Sequence, residues 1–191
     1  MTPSSKQTLR STCKSQRQTR TFAETRDASK RISASICAWP PYRQAKCIAI
    51  YQAINGEIDL STIWQSAIDG GKSCCFPAIN EDQTLSFLPA TPNCVFDKNR
   101  FGIAEPNIPG SQALPPHQID IIFLPLLAFD VHGTRLGMGG GYYDRTLACS
   151  RPPLLVGVAY DAQRKPFIEA DAWDVPMDVV ITERTMYWSK L

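Results

Sequence analysis

The sequence lacks the long apolar segments that anchor a protein in a membrane or direct it across one. None of its 191 residues lies in an uninterrupted apolar run of the roughly 18 residues that a membrane-spanning helix needs. The N-terminal region is basic and rich in serine and threonine, but it contains no apolar core of a secretory signal. We therefore expect no membrane partner and a cytoplasmic location.

Two nucleotide-binding motifs and the usual metal-binding spacing of cysteines are also absent. The patterns GxxxxGK[ST] and GxGxxG do not occur, which excludes a Walker loop and a dinucleotide fingerprint. The seven cysteines form no CxxC pair, and several lie in apolar runs. This pattern is typical of reduced, mostly buried thiols and argues against a disulfide framework or a zinc site. A catalytic thiol is the alternative that the pattern leaves open.

Charge is distributed unevenly, although the formal net charge is only +2. Residues 1–46 contain ten Lys/Arg and two acidic residues, whereas the remainder contains ten basic and sixteen acidic residues. Exposed helix faces, an RNA-binding segment and cations that reach an anionic ligand are three explanations. The basic segment has one aromatic residue before Trp39, too few to stack nucleic-acid bases, so we expect no nucleic-acid partner.

Apolar runs alternate with helical patterns along the chain and predict an α/β fold. Buried strands are predicted at residues 47–51, 72–76, 84–88, 119–127, 154–160 and 179–182, and helices at 4–20, 22–38, 58–68 and from about 142 to 149. The first helix is predicted to be exposed, and Phe22, Ile32 and Ile36 are predicted core contacts of the second. Residues 89–118, with six prolines, are predicted to form a long ordered loop or flap.

The near-continuous apolar strands predict a mostly parallel sheet that is covered on both faces, a three-layer α/β/α sandwich. We expect one domain over residues 1–191, with a basic helical segment at about residues 1–38. No internal repeat divides the chain.

One glycine-rich segment follows the strongest predicted strand. Five glycines fall within residues 133–141, which we call the glycine turn, and Tyr142, Tyr143, Asp144 and Arg145 follow it. Glycine lets backbone N–H groups approach a ligand without a Cβ in the way, and a following helix adds its N-terminal dipole. Ligands of parallel sheets bind at the carboxyl ends of strands. The glycine turn therefore predicts a site for a phosphate-bearing substrate or a nucleotide.

The glycine turn and four shorter segments resemble those of a known family. LAFDVHGTRLGMGGGYYDR (residues 127–145) is similar to the signature of the 5-formyltetrahydrofolate cyclo-ligases, also called 5,10-methenyltetrahydrofolate synthetases. KQTLR (6–10), YQAINGEID (51–59), GIAEP (102–106) and MDVVITE (177–183) resemble further segments of that family in the same order. The resemblance covers nearly the whole chain, and it implies a Rossmann-like sheet.

The resemblance also implies a reaction, the ATP- and Mg²⁺-dependent closure of 5-formyltetrahydrofolate to 5,10-methenyltetrahydrofolate with release of ADP and phosphate. Because the formyl oxygen is a poor leaving group, ATP first phosphorylates it; N10 of the folate then attacks the formyl carbon, and phosphate departs. Such catalysis depends on positioning and on neutralising the transferred phosphoryl group. The implied partners are 5-formyltetrahydrofolate and ATP, the implied cofactor is Mg²⁺, and we expect a monomer.

The positions that match the family imply a set of site residues. The implied catalytic residues are Arg135, Gly139, Gly140 and Tyr142. The implied ATP-binding residues are Lys6, Arg10, Arg135, Leu136, Gly137, Met138, Gly139, Gly140, Gly141, Tyr142 and Tyr143. The implied substrate-binding residues are Gln52, Glu57, Met138, Gly139, Gly140, Gly141 and Tyr142, with Glu57 at the pterin ring. Asp144 and Asp178 are the implied Mg²⁺ ligands.

Structural roles are the alternatives for several of these residues. Asp144 could form an ordinary helix-start pair with Arg145, and Asp178 could cap a strand end. One of the two tyrosines that follow the glycine turn could be a core aromatic. Lys6 and Arg10 share a helix face at i and i+4, where they could reach phosphates together or remain solvated.

Two positions depart from the family pattern. Met138 stands where arginine is common, which removes a cation beside the phosphates, and Trp173 stands where many relatives have histidine. We interpret Met138 as a variant that retains activity.

The rival hypotheses are a catalytically idle, regulatory relative that binds nucleotide or folate, and a sugar-phosphate isomerase on the same fold. The isomerase would need an acid/base pair, and no convincing carboxylate–lysine pair accompanies the glycine turn.

Overall fold

A computed structural model describes residues 3–150, 152 and 154–189 of the chain. The helices are α1 (Pro3–Gln18), α2 (Phe22–Ala38), α3 (Pro40–Gln44), α4 (Ser61–Asp69) and α5 (Tyr142–Ala148). The strands are β1 (Cys47–Ala49), β2 (Ser73–Ile79), β3 (Leu85–Pro89), β4 (Phe96–Lys98), β5 (Ala104–Pro106), β6 (Ile121–Pro125), β7 (Ala128–Phe129), β8 (Arg135–Leu136), β9 (Leu154–Val158), β10 (Val179–Ile181) and β11 (Met186–Trp188). Short 3-10 helices occupy Gly110–Gln112, Pro116–Gln118 and Asp161–Gln163.

The central sheet has seven strands in the order β11-β10-β9-β6-β1-β2-β3. Five of them, β1, β2, β6, β9 and β10, run parallel, and the edge strands β3 and β11 pair antiparallel with their neighbours. The chain runs outward from β1 through β2 to β3 and then returns to β6 on the other side of β1. The topological switch point of the sheet therefore lies between β1 and β6, where α/β proteins commonly bind ligands.

Both faces of the sheet are buried, as the apolar strands predict. On one face, Ile32 and Ile36 of α2 belong to the same buried cluster as Ile48 of β1. On the other face, Leu147 of α5 belongs to a second cluster with Leu124 of β6. The predicted α/β class, with a mostly parallel sheet between flanking helices, is confirmed.

Helix α2 begins and ends where the sequence predicts. The Glu24 N–H donates to the Thr21 hydroxyl at 3.2 Å, and the Thr21 N–H donates to the Glu24 carboxylate at 2.8 Å. This capping box satisfies N–H groups that the first helical turn leaves free. The prediction that Phe22 contacts the core is wrong, because Phe22 is 81% exposed. It lies at the start of the helix, whereas the buried residues of α2 begin at Ala28.

Helix α1 is not the exposed helix that its polar composition predicts. Lys6, Cys13 and Arg17 are all buried, and Cys13 packs with Leu127 and Ala128 beyond β6. These three residues recur at i, i+7 and i+11, so they share one helix face. Since charged residues are seldom buried without partners, composition alone indicates solvent exposure. Here Lys6 and Arg17 are buried in ion pairs.

Residues 89–118 contain more regular structure than the predicted loop. Within this segment β4 and β5 form an antiparallel hairpin, in which Phe96 is opposite Pro106. Phe96 packs edge-to-face on Phe76, with ring centroids 5.2 Å apart, and so fixes the hairpin to β2. The prolines conceal this hairpin in the sequence, because proline is depleted from strand interiors.

The cysteines are free thiols, as predicted, and Cys13, Cys47, Cys74 and Cys75 are buried. Burial raises the pKa of the Cys74 thiol to about 12, so the group stays protonated and poorly nucleophilic at neutral pH.

Among the described residues, no helix combines the length and the apolar character that crossing a membrane requires.

Candidate active site

A cleft of about 660 Å³ opens at the switch point of the sheet. Tyr51 and Gln52, which follow β1, line its floor together with Leu126, which follows β6. The glycine turn, the face of α1 that carries Lys6 and the β4–β5 hairpin form other parts of its wall. Every site residue that the sequence implies, with the exception of Asp178, lines this cleft.

The glycine turn is held in place by a short hairpin and by one buried carboxylate. Strands β7 and β8 pair antiparallel, with Phe129 opposite Arg135. Asp130, which is 1% exposed, accepts hydrogen bonds from the His132 and Thr134 N–H groups at 2.9 and 3.1 Å and from the Ile168 N–H at 2.9 Å. Asp130 therefore has a structural role, since its oxygens are used to fix the turn.

Glycine is required at defined points of this turn. Gly139 has a φ of +97°, and Gly141, immediately before α5, has a φ of +68°. Residues with a side chain rarely adopt such values. Helix α5 has only seven residues, so its N-terminus contributes little to anion binding. The N–H groups of the turn and the neighbouring cations would contribute more.

Helix α1 brings cations to the glycine turn. Lys6 Nζ lies 2.6 Å from Asp171 Oδ2 and 3.6 Å from Asp174 Oδ2. Arg10 Nε donates to the Gly137 carbonyl at 3.2 Å. The predicted i, i+4 pair therefore lies side by side at the cleft, with Arg10 in direct contact with the turn.

Arg135 provides a buried cation on the other side of the turn. Its side chain is 5% exposed, and its Nη2 donates to Asp144 Oδ1 at 2.6 Å. The same carboxylate oxygen accepts from the Val175 N–H at 3.2 Å, so Asp144 pairs with Arg135 and not with Arg145. Arg135 Nε is buried without a hydrogen-bond partner among the described residues. A buried donor of this kind commonly marks the place of a ligand or water.

Glu57 is a buried carboxylate at the base of the cleft, and its residue is 8% exposed. Arg17 Nη1 lies 3.1 Å from Glu57 Oε1, and the Ile54 N–H donates to Oε2 at 3.1 Å. Burial raises the pKa of the Glu57 carboxyl, while the charge of Arg17 acts in the opposite direction. Gln52 lines the same cleft.

The two tyrosines after the glycine turn occupy different environments, although both line the cleft. Tyr143 packs against the apolar core, and burial raises the pKa of its hydroxyl, whereas the nearby Arg135 acts to lower it. Tyr142 accepts a hydrogen bond from Arg100 Nη2 at 2.8 Å and packs edge-to-face on Phe101, with centroids 6.2 Å apart. The β4–β5 hairpin therefore closes on the cleft through Tyr142.

The structure corrects the assignment of Asp178 as a metal ligand. Asp178 immediately precedes β10, where its Oδ2 accepts from the Leu155 N–H at 2.7 Å. It therefore lies at the amino-terminal ends of the parallel strands, on the edge of the sheet opposite to the cleft. The strand-end role, which was the alternative for this residue, fits the position. Asp174, four residues earlier, lines the cleft instead.

Arg17, Asp171 and Phe101 are among the cleft residues that the motifs do not single out. Arg17 could have been found from the helical spacing, because it shares a face with Lys6 and Arg10. Asp171 and Phe101 belong to a loop and a hairpin turn whose positions depend on tertiary packing, and no local pattern singles them out.

The cleft contains carboxylates of the kind that bind Mg²⁺ together with phosphate oxygens. Within residues 3–150, 152 and 154–189, no group of three or more His, Cys, Asp or Glu side chains could hold a metal without other ligands. Mg²⁺ usually takes one or two carboxylates and completes its shell with phosphate oxygens and water. Asp144 and Asp174 offer such oxygens, since their side chains are 19% and 22% exposed at the cleft.

The sequence matches one family model over most of its length. Residues 2–183 match the 5-formyltetrahydrofolate cyclo-ligase family. A protein of Haemophilus influenzae named 5-formyltetrahydrofolate cyclo-ligase is 40% identical over 144 residues, which cover 73% of this chain and 77% of that protein. The protein of the same name from Escherichia coli K12 is 31% identical over 163 residues, which cover 82% of this chain and 88% of that protein.

Solved structures agree with these matches. The NMR structure of Aquifex aeolicus 5,10-methenyltetrahydrofolate synthetase superimposes with a TM-score of 0.86 at 33% identity, covering 97% of this chain and 93% of that one. A 5,10-methenyltetrahydrofolate synthetase from Mycoplasma pneumoniae superimposes with a TM-score of 0.75 at 26% identity, covering 93% of this chain and 98% of that one. The chain therefore belongs to the 5-formyltetrahydrofolate cyclo-ligase family, a family of ligases.

Proposed function

We propose that this chain closes 5-formyltetrahydrofolate to 5,10-methenyltetrahydrofolate, using ATP and Mg²⁺ and releasing ADP and phosphate. The observation that carries the proposal is the cleft itself. At one end it combines the glycine turn with the cations of Lys6, Arg10 and Arg135, and at its base it has the buried carboxylate of Glu57. The glycine turn and its cations suit a triphosphate, and the carboxylate of Glu57 suits the N–H donors of a pterin ring.

The reaction proceeds in two covalent steps. The formyl oxygen attacks the γ-phosphorus of ATP, and the bond between that phosphorus and the ADP oxygen breaks. N10 then attacks the formyl carbon, the carbon–oxygen bond to phosphate breaks, and the N10 proton is released. The protein acts chiefly by holding the reactants in line and by stabilising the charge of the transferred group.

In this proposal the cations are redistributed when ATP binds. Lys6, which the two carboxylates of Asp171 and Asp174 hold beside the glycine turn, turns toward the phosphates. Arg135 donates its unpaired Nε to the transferred phosphoryl group. Gly139 and Gly140 offer N–H groups, and the Tyr142 hydroxyl lies at the hairpin side of the same turn. Met138, although it is not a cation, is 50% exposed at the cleft and packs against bound ligand.

Asp144 and Asp174 would hold the Mg²⁺ ion in the proposed complex. When bound, the ion neutralises phosphate charge. Asp144 would keep its contact with Arg135, so the cation and the metal would share one carboxylate. We propose that the active form is a monomer. We also propose that the protein acts in the cytoplasm.

The fate of the formyl oxygen tests the proposed chemistry. We expect that 5-formyltetrahydrofolate labelled with oxygen-18 in the formyl group will transfer the label to inorganic phosphate, because phosphorylation precedes ring closure. Mass spectrometry of the released phosphate measures the transfer, with unlabelled substrate in labelled water as the control. Phosphate that carries no label from the formyl group, while methenyltetrahydrofolate accumulates, would contradict the phosphorylated intermediate.

A further inference from the structure

Arg17 is a buried arginine of α1 whose contacts converge on the segment that carries Glu57. Its side chain is 1% exposed. Nε donates to the Asn55 carbonyl at 3.0 Å, and Nη1 donates to the Leu126 carbonyl at 3.3 Å. Nη1 also lies 3.1 Å from Glu57 Oε1. Arg17 therefore joins the segments that follow β1 and β6, the two strands that flank the switch point.

The turn before Glu57 is packed directly against α1. Asn55 and Gly56 both have left-handed backbones, with φ values of 51° and 76°. A Cβ at Gly56 would lie 3.1 Å from the Arg17 carbonyl oxygen, so the turn approaches the helix backbone closely. The side chain of Arg17 also contacts the same turn, because its Nε donates to the Asn55 carbonyl. The direction of the Glu57 carboxylate is thus set by α1 together with the Ile54 N–H, which donates to its other oxygen.

The electrostatics around Glu57 make Arg17 its charge partner. The titratable groups that act on one another here are Arg17, Glu57, Tyr51 and Tyr143; Tyr160 also acts on Tyr51, and Arg135 on Tyr143. Burial raises the pKa of the Glu57 carboxyl, and Arg17 is the first of the contacts that act to lower it. Burial also raises the pKa values of Tyr51 and Tyr143, so neither hydroxyl supplies charge near neutral pH. A buried carboxylate that loses its cation usually takes up a proton.

We propose that Arg17 is a positioning residue for substrate recognition, which holds Glu57 as a fixed, charged acceptor for a ring that presents adjacent N–H donors, such as the lactam edge of a pterin. This inference rests on the proposed function, in which Glu57 contacts the folate. Arg17 Nη2 is buried and has no hydrogen-bond partner among the described residues. A buried donor without a partner is costly in a protein interior, and it commonly marks the place of a ligand or water.

Replacing Arg17 with methionine should weaken folate binding and leave ATP binding nearly unchanged. Without the cation the pKa of Glu57 rises further, so Glu57 is protonated up to a higher pH and the ring loses its charged acceptor. We expect the KM for 5-formyltetrahydrofolate to rise about tenfold or more near pH 7, and to fall again as the pH increases. The KM for ATP should change less than about twofold, because that end of the cleft keeps its own cations.

Matched variants separate positioning from general stability. Arg17→Lys keeps the charge and should recover part of the loss, although it cannot make all of the guanidinium's hydrogen bonds. Arg20→Met is the control, since Arg20 stacks on Tyr160 at 4.0 Å outside the cleft. In a Glu57→Gln background, Arg17→Met should add less than about a twofold further rise, because the two residues act as one unit.

Titration of the Glu57 carboxyl tests the proposed role of Arg17 without an activity assay. Carbon-13 NMR of glutamate carboxyl groups, with Glu57→Gln to assign the signal, should show that Glu57 titrates at higher pH in Arg17→Met than in the unchanged protein. The inference is overturned if the Glu57 titration stays where it was, or if the KM values for folate and ATP rise equally. A protein that forms no product but whose Glu57 titration moves as stated would refute the proposed function and retain the Arg17–Glu57 coupling.

Discussion

Replacing Arg135 with methionine is expected to lower kcat by about 10²–10³-fold, the effect of removing one preorganised donor to a developing charge. Arg135 is 5% exposed, and its Nε is a buried donor without a partner among the described residues. The donor is therefore already in place before the phosphoryl group is transferred. Because the proposed contact of the pterin ring is Glu57 and not Arg135, the KM for 5-formyltetrahydrofolate should change only a few fold. Steady-state kinetics of methenyltetrahydrofolate formation measures both values.

Control variants must distinguish a loss of catalysis from a loss of folding. The reason is that Arg135→Met also removes the cation that lies 2.6 Å from the Asp144 carboxylate. Arg135→Lys keeps the charge but not the guanidinium fork, so we expect an intermediate kcat and a near-native thermal unfolding temperature. Arg31→Met removes an exposed guanidinium that pairs with Asp27 on α2, and it should leave kcat unchanged. A kcat for folded Arg135→Met within about threefold of the unchanged protein would contradict the assigned role.

Adding one methyl group at Gly139 is the second change for which we expect a large effect. Gly139 has a φ of +97°, outside the regions that alanine adopts without strain, and its Cβ would lie 3.5 Å from Arg10 Nε. The strain should be of order 1–3 kcal/mol and should fall on the turn that we propose binds the phosphates. We expect kcat/KM for ATP to fall by about ten- to hundredfold, measured at saturating folate.

Gly137 supplies the matched comparison within the same turn. A Cβ at Gly137 would meet nothing within 4 Å, and its φ lies outside the left-handed region. Gly137→Ala keeps the backbone N–H and should reduce kcat/KM for ATP by no more than a few fold. Equal losses in the two variants would show that the effect comes from bulk at the turn and not from the backbone conformation of Gly139.

The sequence predicts those parts of the fold whose signals are local. The capping box formed by Thr21 and Glu24 marks the beginning of α2, and the all-apolar run at residues 121–125 identifies β6. The glycine turn is equally visible, because several glycines occur where a strand should end. These features depend on neighbouring residues, so they can be recognised before any tertiary contact is known.

Burial of charged residues is what the sequence does not reveal. Lys6 and Arg17 have the composition of a solvated helix face, and their partners, Asp171 and Glu57, lie 165 and 40 positions further along the chain. An ion pair between such distant residues exists only once the fold has brought them together. The prediction that α1 is exposed is wrong for this reason.

The two ends of a strand also look alike in a sequence. Asp174 and Asp178 flank the same short segment before β10, and motif matching favours Asp178. Parallel pairing with β9 places Asp178 beside Leu155, at the amino-terminal ends of the strands. Only the direction of the sheet decides which aspartate lines the cleft. The hairpin that carries Phe101 to Tyr142 is a tertiary feature of the same kind.

The formation of methenyltetrahydrofolate from 5-formyltetrahydrofolate, ATP and Mg²⁺ tests the proposed function most directly. Purified protein should produce the methenyl absorbance with one ADP released per product, and omission of either ATP or Mg²⁺ should abolish the signal. A folded protein that binds ATP and 5-formyltetrahydrofolate but forms no product would contradict the proposal and identify the chain as an idle, ligand-binding member of its family.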